Sequence, residues 1–271
     1  MFDKKFKQDP KKRFSSRVEK YVKYRPNYPQ EIISFLKENQ ILSNDSVIAD
    51  IGSGTGILSE LFLKEGNKVY GIEPNIDMRK AGEAQLAKYS NFVSIEGSAE
   101  KSSLDSSSVD IITAGQAFHW FDLERTRIEF LRILKPEGWV LLIWNRREML
   151  NNEFLKEYEQ FLLKYGTDYN AIEKRKLDFD KFFGESKAER NYKYRKFDNY
   201  QIFDYDGLVG RLLSTSYIPL DDHPTFNEMM IDLKQLYDKH QQNRLIKFDY
   251  KTEVIYGHLV FNFHKNPSNF N

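Results

Sequence analysis

The sequence contains no cysteine in its 271 residues. Disulfides, thiolate metal sites and cysteine nucleophiles are therefore excluded. Histidine is scarce, with five dispersed residues, so no metal site is expected. No apolar run approaches the roughly 20 residues that a membrane-spanning helix needs. The opening stretch, MFDKKFKQDPKKRF, has no apolar segment of the secretory type, and a cytoplasmic protein without membrane association is expected. An excess of one charge is also missing. Lys and Arg number 41 against 40 Asp and Glu, a formal net charge of +1, which supplies no global field for nucleic acid. One local bias remains: residues 1–25 hold ten Lys and Arg against three acids. That run reads either as an arm for an anionic partner or, more simply, as a solvated helix face or frayed terminus. With 40% hydrophobic and 30% charged residues, the chain has the make-up of a globular protein, long enough for one large α/β domain.

The pattern along the chain supports that size estimate. Residues 12–24 read as a helix, broken by Arg25-Pro26-Asn27-Tyr28-Pro29 because the two prolines fix φ and disfavour helix before them. Pro29 then suits the start of a second helix that turns Ile32, Ile33, Phe35 and Leu36 to one face. Val47–Ile51, Val69–Ile72, Phe92–Ile95, Val109–Thr113 and Trp139–Trp144 read as strands. Helical stretches at 57–64, 76–88 and 123–134 separate them, and Pro136-Glu137-Gly138 reads as a turn. Strands alternating with helices predict a doubly wound parallel sheet. Beyond Asn145 the reading is helix over 151–165, strand over 190–198, helices over 201–213 and 224–241, and a last strand over 248–256. The tail after His264 reads as loose. The whole is expected as a single domain over 1–271. Its parts are a leader and first helix (1–45), a cofactor-binding core (46–145), a C-terminal half with a helical cap (146–264) and the tail (265–271).

The strongest local signal is Val47-Ile48-Ala49-Asp50-Ile51-Gly52-Ser53-Gly54-Thr55-Gly56, an apolar strand entering a glycine-rich turn before a helix. Glycines are needed there so that a ligand can approach the backbone. The dinucleotide fingerprint is G-x-G-x-x-G. Here the spacing is G-x-G-x-G, and Ile57 stands at the third dinucleotide position, which argues against a pyrophosphate on the helix N-terminus. Some twenty residues on, the second strand ends in Glu73. A carboxylate there can accept hydrogen bonds from both ribose hydroxyls of a nucleoside.

These motifs together resemble the class I S-adenosylmethionine-dependent methyltransferases. IADIGSGTG is similar to the family's first motif and IEPN to its second-strand acidic motif. GSAEKSSLDSSSVDII resembles the region of the third and fourth strands, and LKPEGWVLLIW the strand that closes the core. Within the superfamily, the leader YVKYRPNYP and the segment Gln116-Ala117-Phe118-His119-Trp120-Phe121 are most similar to the small-molecule group around trans-aconitate methyltransferases. The resemblance implies a Rossmann-like, seven-stranded sheet whose last two strands form an antiparallel pair, with a helical cap inserted. It also implies S-adenosylmethionine as cofactor and a small-molecule methyl acceptor. A monomer or homodimer is expected. A nucleic-acid methyltransferase using the basic leader and a non-catalytic cofactor-binding protein are the alternatives.

The resemblance also implies residue roles. Gly52, Gly54 and Thr55 would pack against the methionine part of the cofactor, and Glu73 would hold the ribose. Pro74, Met78, Ser98 and Ala99 would lie along the adenine, with Glu100 assisting where many relatives carry an acid at the position of Ser98. Gln116 would sit beside the transferring methyl, or else be a buried amide bonded to backbone. Tyr21 and Arg25 would fold over the cofactor, Arg25 bonding its carboxylate, or be ordinary packing. His119 would position the acceptor or act as general base, or be a structural histidine. Trp120 and Tyr217 would contact the acceptor, or belong to core and loop respectively.

Overall fold

The computed structural model describes residues 15–167, 169, 177–184 and 190–260. The basic stretch at 1–14, the first residues of the helix expected over 12–24, and the tail at 265–271 lie outside them.

The leader forms a 3-10 turn at Ser15–Arg17, α1 at Val18–Tyr24 and α2 at Glu31–Glu38. Next come β1 (Val47–Ile51), α3 (Ile57–Leu63), β2 (Lys68–Ile72), α4 (Ile76–Leu86), β3 (Phe92–Ile95), β4 (Val109–Gly115), α5 (Leu123–Ile133) and β5 (Leu134–Arg147). The C-terminal half adds α6 (Glu153–Tyr165), α7 (Phe179–Phe183), β6 (Tyr192–Phe203), α8 (Tyr205–Leu213), α9 (Phe226–His240) and β7 (Ile246–Gly257). The strands form one seven-stranded sheet in the order β3-β2-β1-β4-β5-β7-β6. β1 to β5 pair in parallel, whereas β7 is antiparallel to both β5 and β6. The expected doubly wound sheet with an antiparallel last pair is thus present. The chain reverses its direction of travel between β1 and β4, and the crevice beyond their carboxyl ends is where ligands bind in such sheets.

The alternation of side chains along each strand divides the core between the two faces. Ile48, Ile111 and Leu141 pack with Ile32 and Leu36 of α2 and with Leu58 and Phe62 of α3. Their neighbours Ala49, Ile112 and Leu142 pack on the other side with Phe118, Phe130 and Phe182. Because both faces are covered, these strands read as apolar runs. A third cluster forms the cap. It joins Phe154, Tyr158 and Leu162 of α6 with Leu208 and Leu212 of α8 and Leu233 of α9. β7 spans both regions: Val254 belongs to the core, whereas Phe248 and Tyr250 belong to the cap.

Three expectations need correction. The strand expected over 190–198 runs from Tyr192 to Phe203, so the following helix begins at Tyr205 and not at 201. The polar residues within it are tolerated because β6 is the sheet edge, where outward side chains need only be solvated. Asp204 then starts α8 by accepting the Gly207 N–H at 2.7 Å. The turn at Pro136-Glu137-Gly138 is absorbed into β5, which pairs from Leu134 onward. A register shift between Val109 and Ile111 and a φ of 61° at Glu137 mark an irregularity of the bulge type. Finally, the first turn of the leader helix is 3-10, and the α-helix itself starts at Val18.

Candidate functional site

The glycine loop adopts the conformations its composition suggests. Gly52, Gly54 and Gly56 have φ of 69°, 58° and 83°, a region where a side chain is strained. Space is short as well: a Cβ on Gly52 would lie 2.7 Å from that of Ala117. The Gly52 N–H donates to Ile72 O at 2.8 Å, which ties the loop to the end of β2.

Glu73 follows at that strand end and is buried, at 8% exposure. Its carboxylate accepts the Gly54 N–H at 2.9 Å and the Asn75 N–H at 2.8 Å, one on each oxygen. Asn75 in turn caps α4 by accepting from Asp77 N and Met78 N. The glutamate is therefore fixed from both sides, while each oxygen keeps a second lone pair for a donor. Burial raises its pKa, and the two backbone hydrogen bonds act against that shift.

Pro74 joins Glu73 to the cap residue, and Met78 is buried on α4, its Cε 3.3 Å from where a Cβ of Gly54 would be. Ser98 and Lys101 exchange backbone hydrogen bonds of 2.9 and 3.1 Å around Ala99 and Glu100. Ala99 is buried, and the Glu100 carboxylate accepts the Asp122 N–H at 3.0 Å.

A cavity of about 300 Å³ opens on the other side of the loop. Gly52, Gly54 and Thr55 from the loop, Gln116, His119 and Trp120 after β4, Tyr21 and Arg25 from the leader, and Tyr217 from the cap all line it. Glu73, Pro74, Met78, Ser98, Ala99 and Glu100 do not. The sequence-derived set thus divides into one group around the cavity and another around the ends of β2 and β3.

Each cavity residue is held by its neighbourhood. Gln116 sits at φ 57° in the sharp turn after β4. Its N–H donates to Ile143 O at 2.9 Å and its side-chain amide to Asn145 O at 3.3 Å, so the half-buried amide is bonded to backbone while it lines the cavity. His119 and Trp120 lie on a 3-10 turn anchored by the fully buried Phe118, their rings 4.6 Å apart. The leader crosses the cavity as a strap. Arg25 stacks on Tyr21 at 4.7 Å and donates to Ser214 O at 3.0 Å. Asn199 donates to Asn27 O at 2.7 Å and Gln201 to Tyr24 O at 3.2 Å. Tyr217 packs against Tyr169 at 4.8 Å, and its carbonyl accepts the Thr167 N–H at 2.9 Å.

Several lining residues escaped the sequence reading: Asp50, Tyr28, Arg147 and Arg211. Asp50 is fully buried and accepts from Ser59 Oγ at 2.6 Å and Thr113 Oγ1 at 3.1 Å. Burial pushes its carboxyl up to about 6, against the pull of those hydrogen bonds. The signal was an acid within an apolar strand. Tyr28 reaches the end of β4, where a Cβ on Gly115 would fall 2.5 Å from its hydroxyl. Arg211 lies on the Leu208/Leu212 face of α8, a charge at an apolar helical position.

The site suits an amino-acid-bearing nucleoside. The Thr55 hydroxyl and the Arg25 Nε are buried without a hydrogen-bond partner, so a donor–acceptor pair stands ready beside the loop. Glu73 offers its remaining lone pairs on the neighbouring strand end.

Comparison with known proteins agrees. The sequence profile of the methyltransferase domain matches residues 49–142. Over 242 residues the chain is 26% identical to an uncharacterised methyltransferase of Schizosaccharomyces pombe, covering 88% of this chain and 94% of that one. It is 35% identical over 135 residues to an uncharacterised methyltransferase of Mycobacterium tuberculosis, covering 50% of this chain and 53% of the relative. Among solved structures, a proposed type II methyltransferase of Anaeromyxobacter dehalogenans superposes with a TM-score of 0.64 at 19% identity, covering 88% of this chain and 99% of that one. With the ordered motifs, the strand order 3-2-1-4-5-7-6 and this match, residues 49–142 are a methyltransferase domain, and the chain is similar over most of its length to methyltransferases.

Proposed function

We propose that the acceptor is a small organic molecule, methylated on an oxygen, nitrogen or carbon nucleophile inside the cavity. The observation that carries this reading is the roofing of the cavity by the leader strap and the cap, which brings Tyr21, Arg25, Arg211 and Tyr217 over the glycine loop and Gln116. A cavity of about 300 Å³ is at the lower end of small-molecule sites.

S-adenosylmethionine supplies a methyl group already activated by a sulfonium. The protein's task is then to align the partners and exclude water. In this reading Gly52, Gly54, Thr55, Tyr21 and Arg25 hold the amino-acid end of the cofactor. Glu73 accepts from the ribose hydroxyls, and Pro74, Met78, Ser98, Ala99 and Glu100 border the adenine. Gln116, anchored by Asn145, forms the wall at the end of β4. His119, Trp120 and Tyr217 face the acceptor. A carboxylate acceptor needs no base, whereas for a phenol or amine His119 is the residue placed to take the proton.

Titration calorimetry with S-adenosylmethionine, followed by a labelled-methyl screen of small acids, phenols and amines, tests the proposal. Label entering small molecules is expected. Label entering RNA or DNA alone, with salt-sensitive binding, would replace the proposal with a nucleic-acid enzyme.

A further inference from the structure

We infer that the cap carries an anion subsite centred on Arg211, which docks a carboxylate of the acceptor remote from the atom that receives the methyl. The inference rests on the small-molecule reading above and adds the acceptor's chemical class.

Arg211 is 4% exposed. A buried guanidinium is costly unless an anion or a full set of acceptors meets it. Its Nε donates to Tyr250 Oη at 3.0 Å, and the Phe248 ring lies 5.5 Å from its Cζ. These contacts fix the planar group in place. Among the described residues no carboxylate oxygen lies within 4.0 Å of it. The Tyr158 hydroxyl, also buried, has no hydrogen-bond partner and feels the charges of both Arg211 and Arg147. Arg25 is close enough that Arg211 joins burial in lowering its pKa.

Charge balance indicates what is missing. Four arginines line the cavity: Arg25, Arg146, Arg147 and Arg211. Arg146 is paired with Glu253 at 2.7 Å. Arg147 is paired with Glu159 at 2.9 Å. Arg25 is taken by the carboxylate of the cofactor in the proposed roles. Arg211 is left for one further negative charge, which suits a monoanionic carboxylate bound in the bidentate manner that guanidinium favours.

The register shows that this charge is not the methylated atom. Gly115, at the end of β4, pairs with Ile143, whereas Tyr250, which holds Arg211, pairs with Arg147. Those two levels on β5 are four residues apart, or about 13 Å at the usual strand rise. In the sheet order, β7 also stands three strands from β1, which leads into the glycine loop. A carboxylate on Arg211 is therefore an anchor, and the nucleophile belongs at the other end of the acceptor.

The test uses the full chain saturated with S-adenosylhomocysteine. Calorimetry then compares aliphatic, dicarboxylic and aromatic carboxylates, each with its neutral amide. At least one carboxylate is expected to bind about tenfold or more tightly than its amide. Arg211→Met should abolish that preference, Arg211→Lys should keep part of it, and the affinity for S-adenosylhomocysteine should change less than about twofold. If Arg211→Met melts early, Tyr250→Phe removes the positioning hydrogen bond, together with the one the hydroxyl donates to Gln201 at 3.0 Å, and Gln201→Ala serves as the control for the latter. Tyr250→Phe should raise KM for the acid while leaving kcat nearly unchanged. Carboxylates that bind no better than their amides, or a preference that survives Arg211→Met, overturn the subsite. Methyl transfer to neutral acceptors at full rate in Arg211→Met overturns it too, but leaves the small-molecule reading standing. Failure of S-adenosylmethionine to bind the wild-type protein overturns that reading itself.

Discussion

The carboxylate of Asp50, buried at the carboxyl end of β1, accepts a 2.6 Å hydrogen bond from the Ser59 hydroxyl of α3. Burial outweighs this bond and the one from Thr113, and the carboxyl rises from 3.8 to about 6. A raised folded-state pKa means that the native state holds the proton longer than the unfolded chain does. The stabilisation is complete below the unfolded value near 4 and is lost as pH rises through about 6. Ionised Asp50 therefore costs up to about 3 kcal/mol at neutral pH. Asp50→Asn should gain on the wild type by up to that amount between pH 4 and 7, whatever its absolute stability. Urea midpoints across this range measure the difference, and a pH-independent difference would refute the assignment.

Glu129 of α5 has the opposite sign. Burial pushes its carboxyl up, but hydrogen bonds from Arg132 and from the Ser102 hydroxyl and N–H prevail, and the value falls from 4.5 to about 2. Its stabilisation is present above about 4.5 and disappears as pH falls through about 2. Glu129→Gln should cost about 2 kcal/mol at pH 7, allowing for its partial contact with solvent. The cost should shrink towards pH 2. A thermal melt series in acid buffers reads this directly.

The leader strap rests on Gly210, where an added Cβ would come within 2.1 Å of the Tyr24 ring. Gly210→Ala must therefore push α1 away from α8, with an overpacking cost of about 1–3 kcal/mol. Tryptic cleavage after Lys20 or Lys23 should accelerate in the variant, and KM for S-adenosylmethionine should rise because Tyr21 and Arg25 move with the strap. Cleavage at the wild-type rate would show that the strap tolerates the methyl group.

What the sequence revealed and what it concealed follow from the range of the interactions. The glycine loop, Glu73 and the helix after each are local: strand, turn and cap lie within a few residues and carry their own chemistry. β1, β4 and the stretch of β5 from Val140 to Trp144 were legible because burial on both faces makes them apolar runs. The end of β6 was not, since an edge strand keeps polar residues such as Asp198 and Asn199 without penalty. The arginine wall was hidden for another reason. Arg211 meets Tyr250 across 39 residues, and Arg17 meets Leu213 across 196. The first pair is set by the antiparallel register of β7 and the second by the packing of the leader on the cap, and no local pattern announces either. Even so, an arginine on the Leu208/Leu212 face of α8 and an aspartate inside the β1 run were visible exceptions to binary patterning, and both line the cavity.

Glu73 allows the sharpest test of the cofactor assignment, because its two oxygens are already occupied by the N–H groups of Gly54 and Asn75. Glu73→Gln leaves one of those buried donors facing an amide nitrogen, so some loss of stability is expected whether or not the residue touches a ligand. Loss of affinity alone therefore proves little, although a fall of at least about tenfold is expected. The ligand must be varied as well. In the wild type, a deoxyribose analogue of S-adenosylhomocysteine should bind more weakly than the parent, because the carboxylate loses a hydroxyl donor. In Glu73→Gln the two ligands should bind nearly alike, since the group that distinguished them is gone. The cycle isolates the pair from the cost of the disturbed loop. A deoxyribose penalty of the same size in both proteins would remove Glu73 from the ribose and leave it only the task of holding the glycine loop.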